Sequence, residues 1–228
     1  MTTKRPRIAI LGRLAERTSV TRFRAVALPR RLLELVWDAG GDPVMLLPVA
    51  DCDWSERLVD IDGILMPGGS DLNPERYGEQ IATEEIYGVD DLQDEADISL
   101  IRYAFEAGVP MLTICRGTQV ANVVRGGTLL QHMATPHRHV VLPVTFEIDQ
   151  VELGVGANPV QASCYHHQII KKIGSGVIPI AHSVEGHIEA VKYEAKAWAY
   201  GVQWHPEDNY DEDGAQLEIV RKFIEATR

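Results

Sequence analysis

Three short stretches carry the residue types needed for acyl transfer through sulfur. The first runs Val109-Pro110-Met111-Leu112-Thr113-Ile114-Cys115-Arg116-Gly117-Thr118-Gln119. An apolar run of strand length stops at a cysteine, and Gln119 to Val124 then reads as a short helix. That order is the strand–turn–helix context of a nucleophile elbow, in which a sharp turn pushes the apical side chain out of the sheet. The first helical N–H groups point to the same spot. They favour a thiolate there. The second stretch, His205-Pro206-Glu207, offers an imidazole and a carboxylate two residues apart with a stiff bridge between them. A carboxylate at that spacing holds one ring nitrogen and leaves the other for the thiol. The third, Pro67-Gly68-Gly69-Ser70, lets backbone N–H groups approach a ligand closely.

Taken singly, each has a plainer reading: a packing cysteine, a surface His-Pro-Glu turn, an ordinary Gly-Gly turn. Together they supply nucleophile, base with orienter, and oxyanion donors, the parts of a covalent hydrolase site.

The elements that must position them follow from the pattern. Arg7 to Gly12, Pro43 to Pro48 and Gly63 to Met66 read as buried strands, with Arg13 to Thr21 a polar loop. Phe23 to Ala39 has helical spacing, with Leu28, Leu32, Leu35 and Val36 on one side and Gly40-Gly41 as its stop. Asp90 to Ala107 is a second amphipathic helix, with Ala96, Leu100, Tyr103 and Ala104 on its apolar face. Strand and helix alternate through this half, the signature of a parallel sheet covered on both faces. In such sheets sites form at the carboxyl ends of strands, where Gly68-Gly69 and Cys115 fall. The second half alternates apolar and polar residues over Val140 to Val151 and Glu189 to Tyr193, as antiparallel or edge strands do. Ala199 to Trp204 is a strand that delivers His205, and Gly214 to Ala226 is a closing helix. No linker or repeat interrupts the chain, so residues 1–228 are expected to form one domain.

Composition sets outer bounds. The 228 residues are 45% hydrophobic and carry a net charge of -11. That length buries a sizeable core, and the acidic balance argues against nucleic acid. No apolar run reaches membrane-spanning length. The stretch Ile8 to Leu11 is too short for a signal peptide, so a cytoplasmic location is expected. Cys52, Cys115 and Cys164 are odd in number and outside metal spacing, and read as reduced thiols.

Ile114 to Gln119 with Gly201-Val202-Gln203-Trp204-His205-Pro206-Glu207 resembles the class I glutamine amidotransferase superfamily. Three further stretches resemble its gamma-glutamyl-gamma-aminobutyrate hydrolase (peptidase C26) branch, the enzymes of putrescine breakdown. These are Pro67 to Pro74 with Tyr77-Gly78-Glu79, His166-His167-Gln168-Ile169, and Glu185 to Ala190. The resemblance covers nearly the whole chain. It implies an α/β, flavodoxin-like open sheet, mostly parallel, with helices on both faces and a few antiparallel strands in the second half. By the same resemblance Cys115 is nucleophile, His205 general base and Glu207 its orienter. The amides of Gly69 and Arg116 form the oxyanion hole and Gly68 shapes that loop. Gln119, Tyr165 and His166 bind the glutamyl group. The implied reaction is hydrolysis of a γ-glutamyl amide through a thioester, with a small-molecule substrate and no metal or organic cofactor.

The sequence departs from that pattern at Thr113, where glycine is usual two residues before the nucleophile. It also departs at Ser163-Cys164, which replaces Asn-Ser, at Glu185, which replaces Asp, and in a short stretch from Gln131 to Ser163. Thr113 is expected either to crowd the elbow or to be accommodated by a small neighbour. The departures leave open a glutaminase subunit serving a synthetase partner, and a silent γ-glutamyl-binding relative. The amine portion of the substrate and any homo-oligomer are open as well. Among the other residues, His132, His137 and His139 are expected in a solvated loop, and Cys164 as a packing residue. At most one of His166 and His167 is expected to face the site. The acidic run Asp208 to Asp213 and the arginines at 13, 17, 22 and 24 are expected to be solvated, although these arginines also suit attraction of an acidic substrate.

Overall fold

The computed structural model describes residues 4–147, 151–156 and 158–228. The first half contains β1 (Arg7–Leu11), β2 (Arg13–Ala15), β3 (Ala25–Ala27), α1 (Arg30–Asp38), β4 (Asp42–Leu46), α2 (Trp54–Arg57) and β5 (Gly63–Met66). It continues with α3 (Asp91–Ala107), β6 (Met111–Ile114) and α4 (Arg116–Val124). The second half is mostly strand: β7 (Thr128–Leu130), β8 (His137–Phe146), β9 (Val160–His166), β10 (Ile169–Lys172), β11 (Val177–His182), β12 (Ile188–Tyr193) and β13 (Ala199–Val202). It closes with α5 (Gly214–Ala226).

A nine-stranded sheet in the order β4-β1-β5-β6-β13-β12-β11-β8-β9 forms the centre. Its first five strands are parallel. Counted along the chain they lie 2-1-3-4-5, the flavodoxin-like order. The remaining four are antiparallel. Strand alternation builds the two faces. Ile8, Ile10, Leu65, Leu112 and Ile114 face α1 and α5, which contribute Leu32, Leu35, Val36, Ile219, Val220 and Phe223. Ala9, Leu11, Ile64, Met66 and Met111 face α3 and α4, which contribute Ala96, Leu100, Ile101, Val120 and Ala121. Both faces being buried explains why these strands read as continuous apolar runs.

Local signals fix the ends. Asp90 caps α3, accepting from the Gln93 amide, and Gly108 ends it at φ 74°. The helix expected over Phe23 to Ala39 is cut to Arg30–Asp38 by Pro29, which holds Leu28 out of the helical region. Residues before it form β3, which pairs with β2 as a small antiparallel ribbon. Arg13 to Ala15 is therefore strand and not loop. The last parallel strand stops at Val202, two residues before the expected Trp204. Alternation over Val140 to Val151 marks β8, which starts earlier, at His137. Residues 148–150 of that stretch lie outside the described ones, and Val151 begins a short 3-10 turn. Helix α2 and the ribbon of β7 with β10 are too short to show a period. No helix among the described residues is long and apolar enough to cross a membrane.

Candidate active site

Cys115 sits between β6 and α4 at φ 49°, ψ -110°. A non-glycine residue held there is strained, and the strain is that of a nucleophile elbow. Hydrogen bonds hold it on both sides. Its amide donates to Val202 O at 2.8 Å, and its carbonyl accepts from the Thr118 and Gln119 amides at 3.0 and 3.2 Å. The sulfur is thereby set at the head of α4.

His205 follows the neighbouring strand β13, and its amide donates to Ser163 O at 2.8 Å. Its Nδ1 lies 2.8 Å from Glu207 Oε1. The ring stands next to Cys115, close enough for the two to influence each other's charge. With Nδ1 taken by the carboxylate, Nε2 is the nitrogen left for the sulfur. Burial by itself would lower the imidazole. The neighbouring Cys115, then Glu207, outweigh it and push His205 up to about 11. His205 is thus held as an imidazolium beside Cys115. Glu207 is buried and its backbone carbonyl accepts from Arg31 Nε at 2.9 Å, which anchors the turn.

The loop after β5 closes the third side. A Cβ on Gly68 would lie 2.6 Å from His205 Cε1, so only glycine lets the loop pass this close to the ring. Two arginines hold its carbonyls. Arg13 Nε donates to Gly68 O at 2.6 Å, and its terminal nitrogen donates to Pro67 O. Arg116 donates to Ser70 O at 2.8 Å. With the carbonyls turned to the arginines, the Gly69 amide donates to no acceptor among the described residues, and neither does that of Arg116. The arginines are balanced by Asp97, bound by both, and by Asp94, 2.7 Å from Arg116. All four side chains are buried or nearly so. Sequence reasoning missed this support because Asp94 and Asp97 read only as polar residues of an amphipathic helix. Arg13, expected on a solvated face, is only 15% exposed in its side chain.

Gln119 lies one turn into α4, with Nε2 3.1 Å from Gln168 O and 3.3 Å from Gln203 Oε1. A cavity of about 10 Å³ lies against Cys115 and Gln119, with Tyr165, His166, His167 and Asp71 also in its wall. Both histidines reach this wall because His167 lies past the end of β9, where strand alternation no longer applies. His167 is fixed by Asp71 at 3.0 Å and faces His132 at 2.9 Å. A larger cavity of about 470 Å³ shares Gly69, Tyr87 and Tyr165 with the small one and reaches the imidazole. It is lined by Ala27, Leu28, Pro29, Tyr87, Tyr165 and His205, with Arg13 the only arginine or lysine in its wall among the described residues.

Cys115, Gln119, Tyr165 and His166 border the small cavity, and Gly68, Gly69, His205 and Glu207 border the larger one. The peptidase C26 family model matches residues 6–207, nearly the whole chain. The chain belongs to the peptidase C26 family.

Among its relatives is the glutamine amidotransferase-like protein YvdE of Lactococcus lactis, 31% identical over 82% of this chain and 84% of that one. The gamma-glutamyl-gamma-aminobutyrate hydrolase PuuD of Escherichia coli is 29% identical over 95% of this chain and 92% of its own. A glutamine amidotransferase of Thermotoga maritima, with 13% identity and a TM-score of 0.67, covers 99% of both chains and shows the shared fold. His166, His167 and Gln168 are buried and line the small cavity beside the thiol.

The departures from the family pattern are accommodated locally. Thr113 is fully buried, and its hydroxyl lies 2.9 Å from both Thr118 Oγ1 and Tyr193 Oη. Its register partner on β13 is Gly201. A Cβ on Gly201 would come within 2.4 Å of Thr113 Oγ1, so the missing side chain opposite makes the room. Cys164 is buried, and burial pushes its thiol up, as suits a packing residue and not a second nucleophile. The histidine loop is corrected: His139 is exposed, but His137 is only 4% exposed and opens β8. The acidic run is not all solvent-facing either, since Asp213 caps α5.

Proposed function

We propose that the chain is a stand-alone cysteine hydrolase of γ-glutamyl amides. The observation that carries this reading is the convergence of Cys115, the His205–Glu207 pair and two undonated amides at one strand-end cluster. The sulfur attacks the amide carbonyl carbon, and the Gly69 and Arg116 N–H groups receive the oxygen as it becomes anionic. His205 gives its proton to the leaving nitrogen, the C–N bond breaks, and the amine departs from a thioester. Water then attacks the thioester while His205 takes its proton, and the carboxylic acid and thiol are regenerated.

The glutamyl group is assigned to the side of Gln119, Tyr165 and His166. The cavity of about 10 Å³ there is smaller than a glutamyl chain, so binding includes displacement of the exposed Tyr165 side chain. The leaving amine is assigned to the larger cavity. Its wall is mostly apolar, and Arg13 is already committed to Asp97 and to two loop carbonyls. This favours an apolar or aromatic amine over one ending in a free carboxylate, and so distinguishes this chain from the reaction named for PuuD.

Amine release from γ-glutamyl anilide, γ-glutamyl-γ-aminobutyrate and glutamine by the purified chain tests both parts. The expected order of kcat/KM places the anilide first, and Cys115→Ala lowers all activity by about 10⁴-fold or more. A preference for γ-glutamyl-γ-aminobutyrate would overturn the amine assignment alone. No release from any of the three by the folded protein would sink the hydrolase reading.

A further inference from the structure

Behind the catalytic wall, three strands bring four ligand-type side chains together. His137 and His166 are register partners on β8 and β9. Cys164 lies two residues before His166 and so on the same buried face of β9. A register shift between Arg138 and Val140, with His139 at φ 55°, forms a bulge that re-aims the start of β8. The ligand atoms of His137, Cys164 and His166 all lie within 4.8 Å of one another. Glu189 on β12 adds a carboxylate, with Oε1 3.5 Å from His137 Nδ1 and Oε2 3.8 Å from His166 Nε2.

These groups are buried and unpartnered. The side chains of His137, His166 and Glu189 are 5%, 2% and 0% exposed. His137 Nδ1, His166 Nε2 and both Glu189 oxygens make no hydrogen bond among the described residues. Buried polar atoms rarely stay unsatisfied, and four aimed at one another need an explanation. The tautomer sharpens it. His166 Nδ1 lies 3.1 Å from Gln168 O, a carbonyl that only accepts, so Nδ1 carries the hydrogen and Nε2 presents a lone pair inward. His137 lies between two carboxylates, with Nε2 3.7 Å from Glu185 and Nδ1 3.5 Å from Glu189. The His166 lone pair faces a carboxylate oxygen at 3.8 Å, an arrangement that is unfavourable unless a proton or a metal cation lies between them.

We propose that His137, Cys164, His166 and Glu189 form a binding site for a borderline divalent cation of the zinc class. Two imidazoles, a thiolate and a carboxylate are a four-ligand set suited to tetrahedral Zn²⁺, with one thiolate and one carboxylate balancing its charge. Ligand atoms of such a site lie about 3.3–3.6 Å apart, so the observed set closes by small side-chain movements. The Gln168 carbonyl supplies an outer hydrogen-bond partner of the kind that orients a metal-bound imidazole, here His166. The bound cation takes the thiol as thiolate. The histidines and the cysteine are not in standard sequence spacing, because the pairing of β8 with β9, not the chain, makes them neighbours.

The purified full-length chain, stripped with a chelator and titrated with Zn²⁺ against a chromophoric competitor, tests the site independently of any hydrolase activity. Uptake of one equivalent per chain is expected, and Co²⁺ used as probe should give a tetrahedral spectrum with a sulfur-to-metal charge-transfer band. Cys164→Ser should remove that band. Glu189→Gln, which keeps shape, should weaken Zn²⁺ by roughly 10–100-fold. Cys115→Ser should retain both signals. Absence of stoichiometric uptake by the wild-type chain would overturn the proposal. So would uptake lost in Cys115→Ser but kept in Glu189→Gln, which would place the ion at the catalytic pair. If Cys164→Ser does not fold, the Glu189→Gln titration decides alone.

Discussion

The threonine two residues before the nucleophile shows how a single position is settled by its neighbour across the sheet. Thr113 fits because Gly201 has no side chain, and its hydroxyl satisfies Tyr193 inside the core. Gly201→Ala forces a methyl to within 2.4 Å of that hydroxyl and should cost about 1–3 kcal/mol in urea unfolding. Thr113→Gly added to Gly201→Ala should recover part of the loss, a coupling that separates crowding from a general strand effect. A second prediction at this scale concerns charge. His205 is held up to about 11 against burial, with Cys115 the largest upward influence and Glu207 the next. In the wild-type protein its imidazole should therefore stay protonated at pH 8 by nitrogen-15 NMR. In Cys115→Ala only Glu207 opposes burial, so the titration should move down in pH. A midpoint that stays near its wild-type value would show that the sulfur does not hold this proton.

Among elements, the loop after β5 depends on a helix that never touches substrate in the proposed reaction. Asp97 and Asp94 on α3 bind Arg13 and Arg116, and those arginines hold the carbonyls of Pro67, Gly68 and Ser70. A loop pinned by its carbonyls leaves its amides free and fixed, so that in the proposed reaction they need not reorganise. Asp97→Ala leaves two buried guanidiniums short of a counter-charge and should cost about 3–5 kcal/mol of stability. In the fraction that folds, kcat should fall by roughly 100-fold with a smaller change in KM, the split expected when an oxyanion donor is misplaced. A fall in KM-controlled binding with kcat unchanged would assign the network to substrate capture instead.

At the scale of the whole molecule, one sheet supplies every part of the proposed site. β5, β6 and β13 are adjacent, and their carboxyl ends carry Gly68-Gly69, Cys115 and His205. The ribbon of β2 and β3 and the start of α1 complete the larger cavity with Ala27, Leu28 and Pro29. Because one chain contributes the whole constellation, specific activity on γ-glutamyl anilide should be independent of enzyme concentration and of any added synthetase. An activity that rises with protein concentration or appears only with a partner would point to a site completed from outside.

The sequence by itself determined the two-faced sheet, the elbow at Cys115 and the strand end that delivers His205 and Glu207. Each of these is written in local pattern: continuous apolar runs for strands buried on both sides, a strand stopped by Cys115, a stiff His-Pro-Glu turn. The end of α3 and the extent of α5 were legible for the same reason, in caps and apolar spacing. Tertiary structure decided what depends on partners distant along the chain. Arg13 looks solvated until Asp97 is found 84 positions away. Thr113 looks like an intrusion until Gly201 is found opposite. His137 looks like a loop histidine until a bulge in β8 turns it inward to Cys164, His166 and Glu189. Burial and charge pairing are properties of these encounters, and no window of sequence contains both partners.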